Sequence, residues 1–245
     1  RNSMPVTIKS AREIELMAEA GRILEIVHNE LRDALHAGMS TLDIDRLGEE
    51  IIRSYDCIPS FLNYNGYPAS ICVSLNQEVV HGIPDKHRII QEGDIVSLDA
   101  GVIYKGYHSD AARTHAVGEV SEEAKKLIQV TKESFFEGIK FAKAGNHLFD
   151  ISGAIGRYAE ERGYGVVRDL CGHGIGTALH EAPEIPNYEV GRKGVRLRPG
   201  MTLAIEPMIN IGTHEVDWLD DDWTVVTEDG SLAAHYENTI VITED

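Results

Sequence analysis

Two pairs of acidic residues lie at the edges of apolar, strand-like runs. Asp99 ends an apolar run, and Asp110 comes 11 residues later, after a glycine-containing segment that can return the chain as a hairpin. Glu206 ends a second apolar run, and Glu237 precedes a third. An unpaired charge is costly to bury, so such acids either bind cations or face solvent. Singly, each is most simply an exposed strand residue; the four together favour bound cations.

His173 adds an imidazole within the glycine-rich segment 172–176, where the backbone can approach a ligand closely. Four carboxylates balance the charge of two divalent ions, whereas a single ion leaves uncompensated charge in a site of low dielectric. Mostly oxygen ligands with one imidazole favour Mn, Fe or Co, and Zn is also compatible. Two such ions, about 3.5 to 4 Å apart, can share a hydroxide and polarise a carbonyl. These residues predict a metal-dependent hydrolase.

A short internal repeat points to a two-halved arrangement. The tripeptide 81–83 (His-Gly-Ile) is echoed by 173–175, and Asp99 and Glu206 each fall six residues after a later glycine. A second acid follows in each half, Asp110 in the first and Glu237 in the second. Chance can produce so short an echo, but the echoed positions are glycines or residues able to bind metal. His81 and His180 remain as candidates to hydrogen-bond a substrate carbonyl or oxyanion, although a lone histidine is more often structural.

Other motifs fail on spacing. His180-Glu181 is followed by Glu184 where a zinc helix of the H-E-x-x-H type requires histidine. The glycines at 172, 174 and 176 do not have the spacing of a dinucleotide-binding loop, and no P-loop lysine follows them. The sequence therefore supports neither NAD nor ATP binding.

The three cysteines, Cys57, Cys72 and Cys171, are widely spaced and include no C-x-x-C pair. Neither a disulfide framework nor a zinc ribbon is indicated, and we expect reduced thiols. A nucleophilic Cys171 beside His173 is a weak alternative, because residues two apart on such a loop rarely face each other.

The composition is that of a globular protein. With 245 residues, no Pro, Ser or Gly-rich linker and 42% hydrophobic residues, we expect one catalytic domain over residues 4–245. A formal charge of −17 argues against a nucleic-acid partner. No apolar run approaches the roughly 20 residues that cross a bilayer, so we expect a cytoplasmic protein. Arg1, Asn2 and Ser3 are typical of an expression-vector remnant, with Met4 as the natural start.

Helices and strands must position these groups. Apolar spacing predicts helices over 10–37, from an N-cap at Thr41 to about Tyr55, from Ser121 to Gly145, and over 148–163. Strands are predicted at 71–75, 95–99, 102–104, 202–206, 223–226 and 239–243. Helices precede strands in each half, which favours an α+β domain with a mostly antiparallel sheet backed by helices.

The chain resembles type I methionine aminopeptidases, whose pita-bread fold is shared with creatinase and has a pseudo-twofold axis. The match covers nearly the whole chain after Met4. It depends on the segments 64–72 (YNGYPASIC), 81–84 (HGIP), 171–176 (CGHGIG) and 205–208 (IEPM), together with Asp99 and Asp110.

The resemblance implies that Asp99, Asp110, His173, Glu206 and Glu237 bind two divalent cations. Asp110 and Glu237 would bridge both ions, and Glu206 would also carry the proton of the attacking water. His81 and His180 would contact the substrate peptide. The implied reaction is removal of an initiator Met before a small second residue by a dimetal-bridged hydroxide. Because the sequence has no evident long exposed apolar stripe, we expect a monomer, and transient contact with the ribosome is compatible with this activity.

By the same resemblance, Tyr64, Tyr67, Cys72 and Trp223 form the pocket for the Met side chain. A thioether suits such a sleeve, since sulfur near a ring edge adds ~0.3 to 1.5 kcal/mol. Core packing is the simpler interpretation of these aromatics if no metal site adjoins them. Phe61, Asn65 and Leu179 stand where some bacterial members have Cys, His and Phe, which leaves open the width of the pocket and of the next subsite.

Two alternatives remain open. Prolidase and aminopeptidase P have a similar site, but an extra amino-terminal domain that 245 residues cannot hold. A non-enzymatic binding protein on this fold is the other alternative. Such proteins usually lack metal ligands, and all the expected ones are present here.

Overall fold

The computed structural model describes residues 5–245, so the expectations about residues 1–3 and Met4 lie outside the described part. The α-helices in that part are α1 (Ala11–Ala34), α2 (Thr41–Ser54), α3 (Glu122–Ile139) and α4 (Leu148–Glu161). Each has the amphipathic spacing that the sequence predicts.

Four helix ends differ from prediction. Helix α1 ends at Ala34 and not at residue 37, and α4 ends at Glu161 and not at residue 163. Ser40, and not Thr41, caps α2, because the Ser40 hydroxyl accepts a hydrogen bond from the Asp43 amide at 3.0 Å. Helix α3 ends at Ile139 and not at Gly145. Phe141 donates to the carbonyl three residues earlier, so the chain leaves the helix through tight turns.

The strands, named in chain order, are β1 (Ile58–Pro59), β2 (Ile71–Leu75), β3 (Glu78–Val80), β4 (Ile95–Tyr104), β5 (Tyr107–Ala116), β6 (Gly165–Val166), β7 (Gly172–Gly174), β8 (Glu181–Ile185), β9 (Thr202–Ile205), β10 (Met208–Asn210), β11 (Val216–Trp218), β12 (Val225–Thr227), β13 (Ala233–His235) and β14 (Asn238–Val241). A short 3₁₀ helix spans Tyr64–Gly66.

All pairings between these strands are antiparallel. One sheet has the order β1-β4-β2 with β5 on β4, and another has the order β14-β9-β7-β8. Smaller sheets have the orders β13-β10-β6 and β11-β12-β3. The predicted α+β class with a mostly antiparallel sheet is confirmed.

The predicted hairpin between Asp99 and Asp110 is confirmed by β4 and β5, which meet at a two-residue turn, Lys105-Gly106. Both turn residues have positive φ, 47° and 88°, as the tightest hairpin turns require. The predicted break before Val102 is wrong: β4 runs unbroken from Ile95 to Tyr104.

The strand predicted at 223–226 begins only at Val225. The Asp221 carboxylate accepts hydrogen bonds from the Trp223 and Thr224 amides at 2.9 and 2.8 Å, which holds those residues in a turn.

Each half of the chain packs two helices on strands. Residues of α1 and α2, including Leu24 and Ile52, form one buried cluster with Ile71 and Leu98 from β2 and β4. Residues of α3 and α4 form another cluster with β8 and β9. Among the described helices, none is both long and apolar enough to span a membrane.

Candidate active site

Strand register places three of the predicted acids on one face. Asp99 on β4 lies opposite Ala112 on β5, and Ala112 lies opposite Glu237 across an isolated bridge. Paired residues of antiparallel strands point to the same face, as do residues two apart on one strand. Asp110, two residues before Ala112, therefore joins Asp99 and Glu237.

The second sheet adds His173 and Glu206 by the same rule. His173 on β7 lies opposite Ala204 on β9, and Ala204 lies opposite Thr239 on β14. Glu206 follows Ala204 by two residues, and Glu237 precedes Thr239 by two. The two halves meet where the Thr239 hydroxyl bonds both the amide and the carbonyl of Asp110, at 2.9 Å each.

His173 was predicted on a loop but lies in strand β7. Its flanking glycines serve strand packing: a Cβ on Gly172 would lie 2.4 Å from the Ala204 carbonyl oxygen, and one on Gly174 2.1 Å from that of Ala182. Only glycine allows β8 and β9 to approach β7 from both sides.

The His173 imidazole lies at the centre of the cluster. Its Nε2 is 3.2 Å from Glu206 Oε2, 3.7 Å from Asp110 Oδ2 and 3.8 Å from Glu237 Oε2. One potential ligand atom from each of these four residues lies within 4.8 Å of the others. Asp99 belongs to a second such group, with Glu237 and His235.

The pKa values reflect crowded charges in a buried site. Burial and the neighbouring Asp110 raise the pKa of Asp99 well above its usual range, and burial with Asp110 and Glu206 does the same for Glu237. Burial alone would lower the pKa of His173, but the carboxylates of Asp110 and Glu206 raise it to about 10. Burial opposes ionisation of Glu206 as well, yet the His173 and His235 imidazoles hold its pKa well below its usual range.

Several potential metal-binding atoms in the cluster make no well-aligned hydrogen bond within the described residues. They are Asp99 Oδ1, Asp110 Oδ1, His173 Nε2 and both carboxylate oxygens of Glu237. Buried polar atoms without hydrogen bonds are rare in native proteins. An oxygen-rich set with imidazole nitrogen suits divalent cations, so these residues fit the metal site that the sequence predicts.

A cavity of about 180 Å³ opens onto the cluster, with Asp99, Asp110 and Glu206 in its wall. The other wall residues are mostly aromatic or apolar: Phe61, Tyr64, Asn65, Tyr67, Cys72, His81, Leu179, His180 and Trp223. The seven residues predicted to bind substrate thus line one cavity, and so do Asn65 and Leu179, which with Phe61 differ from the residues of some bacterial members.

The aromatic wall is ordered by specific contacts. The rings of Tyr67 and Trp223 meet edge to face with centroids 5.1 Å apart. Cys72 lies opposite Asp99 in the β2–β4 register, which places the apolar pocket directly beside the acids. Burial raises the pKa of the Cys72 thiol, so it presents a neutral sulfur.

His81 follows β3 in the first half of the chain, His180 precedes β8 in the second half, and both lie in the cavity wall. His180 Nδ1 lies 2.7 Å from the Tyr64 hydroxyl, and its ring centroid is 4.1 Å from that of His173. His81 has φ of 61°, an uncommon conformation for a non-glycine residue that is often found at functional sites. Burial lowers the pKa of both imidazoles.

Cys171 does not have the properties of a nucleophile. Burial and the nearby Glu184 raise the pKa of its thiol to about 11, whereas a reactive cysteine needs a lowered pKa.

His235 is a site residue that the sequence analysis missed. It is 1% exposed, and its Nε2 lies 3.6 Å from Glu206 Oε1. The signal was present: His235 precedes Glu237 by two residues, the spacing that brings side chains to one face of a strand.

Comparison with known proteins identifies the family of this chain. The model of metallopeptidase family M24 matches residues 15–244. A methionine aminopeptidase of Clostridium acetobutylicum is 57% identical over 240 residues, which cover 98% of this chain and 96% of that protein. The crystal structure of a methionine aminopeptidase from Thermotoga maritima has a TM-score of 0.96 at 46% identity, covering 98% of this chain and 97% of that one.

A more distant match is an Xaa-Pro dipeptidase from Bacillus anthracis, with a TM-score of 0.74 at 28% identity. It covers 97% of this chain but only 59% of the dipeptidase. The methionine aminopeptidases, in contrast, match this chain over nearly their full length. The buried cluster of Asp, Glu and His side chains supports the use of divalent metal. From the family match over residues 15–244 and the structural match to the Thermotoga maritima enzyme, we conclude that the chain belongs to metallopeptidase family M24 and has its pita-bread fold.

Proposed function

We propose that this chain is a methionine aminopeptidase, which hydrolyses the peptide bond after an N-terminal Met when the second residue is small. The observation that carries the proposal is an aromatic, sulfur-lined cavity of about 180 Å³ with three ionisable acids of the cluster in its wall. The names of the relatives at 57% and 46% identity support the same activity.

The proposed metal ligands are Asp99, Asp110, His173, Glu206 and Glu237, which would hold two divalent cations such as Mn, Fe, Co or Zn. Four carboxylates balance two such ions, and the unpartnered oxygens of Asp99, Asp110 and Glu237 are free to bind them. When bound, divalent cations supply Lewis acidity and lower the pKa of water, which allows hydrolysis near neutral pH.

The chain's own residues would handle binding and proton transfer. Glu206 lies in the cavity wall with a lowered pKa, so its carboxylate is ionised and can accept the proton of the attacking water and pass it to the leaving amine. His180, held by Tyr64, and His81 would hydrogen-bond the substrate peptide and stabilise negative charge on the carbonyl oxygen.

The Met side chain would enter between Tyr64, Tyr67, Cys72, Trp223 and Phe61. An unbranched thioether can adapt to this narrow space and contact ring edges. Leu179 and Asn65, also in the wall, would limit the size of the second residue.

The remaining expectations form part of the same proposal. The substrate would be a nascent chain, so the enzyme would act in the cytoplasm and contact the ribosome transiently. It would act as a monomer. Residues 4–245 would act as one catalytic domain, because both halves of the chain contribute ligands to the cluster.

The proposal is tested with three peptides, Met-Ala-Ser, Met-Leu-Ser and Ala-Pro-Ser. We expect Met to be released rapidly from Met-Ala-Ser only. Equal rates for the two Met peptides would indicate a broad aminopeptidase. Preferred cleavage of Ala-Pro-Ser would instead favour an Xaa-Pro peptidase and overturn the assignment.

A further inference from the structure

His235 lies at the cluster but has no role among the expected ligands. It is the last residue of β13, and its Nε2 has no hydrogen-bond partner within residues 5–245. Glu206 Oε1 lies 3.6 Å from this nitrogen. An imidazole nitrogen that is buried without a partner at a metal centre calls for a functional explanation.

The His235 backbone is held in place by hydrogen bonds and strand pairing. The Thr114 hydroxyl accepts from the His235 amide and donates to the His235 carbonyl, at 2.9 Å each. That hydroxyl also contacts Ser97 Oγ at 2.8 Å, and β13 pairs with β10 at Met208. The backbone is therefore fixed at this position, and none of these contacts uses Nε2.

Glu206 lies between two imidazoles, with Oε2 near His173 and Oε1 near His235. Carboxylates that bind metals are normally hydrogen-bonded by a further residue, which fixes their orientation. At 3.6 Å, the Oε1 contact is less than 1 Å longer than a hydrogen bond of about 2.9 Å. Nε2 and Oε1 would have to move about 0.7 Å closer to form this bond.

We propose that His235 is a positioning residue that donates its Nε2–H to Glu206 Oε1 in the metal-loaded enzyme. This bond would hold one Glu206 oxygen away from the metal and leave the carboxylate oriented for proton transfer. The proposal rests on the proposed function for the role of Glu206 in catalysis. Its effect on metal binding does not depend on the substrate.

Two substitutions separate this role from simple packing. His235→Gln keeps an N–H donor of similar reach, whereas His235→Leu keeps the bulk and removes the donor. Loss of such an outer partner typically weakens metal binding by about 10- to 100-fold. For His235→Leu we expect this loss of Mn²⁺ affinity in titration calorimetry, together with a lower kcat at nearly unchanged KM. For His235→Gln we expect most of the Mn²⁺ affinity and most of the kcat to be recovered.

Nitrogen NMR of histidine-labelled, unsubstituted protein with Zn²⁺ gives a test that needs no variant. We expect His235 Nε2 to remain protonated when the metal is bound. A metal-bound, deprotonated Nε2 would make His235 a ligand and overturn the proposal. So would a His235→Leu variant with unchanged Mn²⁺ affinity and kcat. If the chain binds metal as described but releases no Met, the proposed function fails while this inference stands.

Discussion

Lys9 Nζ lies 2.7 Å from Glu181 Oε1, and the two side chains are only 5% and 6% exposed. Glu181 also accepts from the Ala178 amide at 3.2 Å and directly follows His180. This buried ion pair joins the segment before α1 to the first residue of β8, which directly follows a proposed substrate-binding histidine.

Lys9→Met should destabilise the fold, because it leaves the Glu181 carboxylate buried without its cation. We expect a loss of about 3 kcal/mol in the free energy of unfolding, measured by urea denaturation. The double variant Lys9→Met/Glu181→Gln should recover most of it. Lys140→Met, which breaks an exposed pair with Glu137, is the control and should cost less than about 1 kcal/mol. Equal losses for Lys9 and Lys140 would contradict the account.

Glu206→Gln should abolish most turnover while the fold is kept, because the amide cannot accept the proton of the attacking water. The expected fall in kcat is about 10²- to 10⁴-fold, measured with Met-Ala-Ser and normalised to bound metal by elemental analysis. Glu184→Gln, at an exposed position on β8, is the matched control. Near-normal kcat for Glu206→Gln would remove Glu206 from the proposed chemistry.

Trp223→Leu should reduce the preference for Met over its sulfur-free analogue norleucine. Contact of sulfur with a ring edge is worth ~0.3 to 1.5 kcal/mol, or up to about 12-fold in kcat/KM. The measurement compares Met-Ala-Ser with norleucine-Ala-Ser for each variant. Trp218→Leu, at an exposed tryptophan on β11, should leave the ratio unchanged. If Trp223→Leu also leaves it unchanged, Trp223 does not bind the sulfur.

Burial lowers the pKa of His28 from 6.5 to about 3, with the Arg113 cation acting in the same direction. Its Nε2 contacts the Ala111 carbonyl oxygen at 2.8 Å. Above pH 6.5 the imidazole is neutral in both folded and unfolded chains, and its contribution to stability is complete. As the pH falls from about 6.5 towards 3, only the unfolded chain takes up the proton, so stability declines by up to ~1.4 kcal/mol per pH unit.

His28→Gln should remove about one proton from the pH dependence of unfolding within that window. The check is a series of urea denaturations between pH 4 and pH 7, which gives the slope of unfolding free energy against pH. His36→Gln, at an exposed histidine, should keep the parent slope. If the free energy of unfolding of His28→Gln depends on pH as steeply as that of the unsubstituted protein, His28 does not control the acid sensitivity.

The sequence predicted the elements whose signals are local. The helices have caps and amphipathic spacing, and the acids at 99 and 110 flank a glycine-containing turn that returns the chain as a hairpin. These features depend on neighbours within a few residues, so propensity and spacing suffice to find them.

Short strands in the second half could not be predicted in the same way. Strand β7, with its glycines, resembles a loop in sequence, and β8 and β9 on either side make it a strand. Strand β13 spans three residues and is held by β10 and by Thr114. Since tertiary pairing sets such strands, His173 was expected on a loop and His235 was missed.

In the proposed function, Asp, Glu and His side chains from both halves of the chain bind divalent metal for the release of N-terminal Met. The direct measurement is Met release from Met-Ala-Ser by chelator-treated protein, during titration with Mn²⁺ or Co²⁺ and with binding stoichiometry followed by calorimetry. We expect no release without metal, recovery on titration, and binding of two ions per chain. Full release by the metal-free protein, or metal binding without any Met release, would contradict the account.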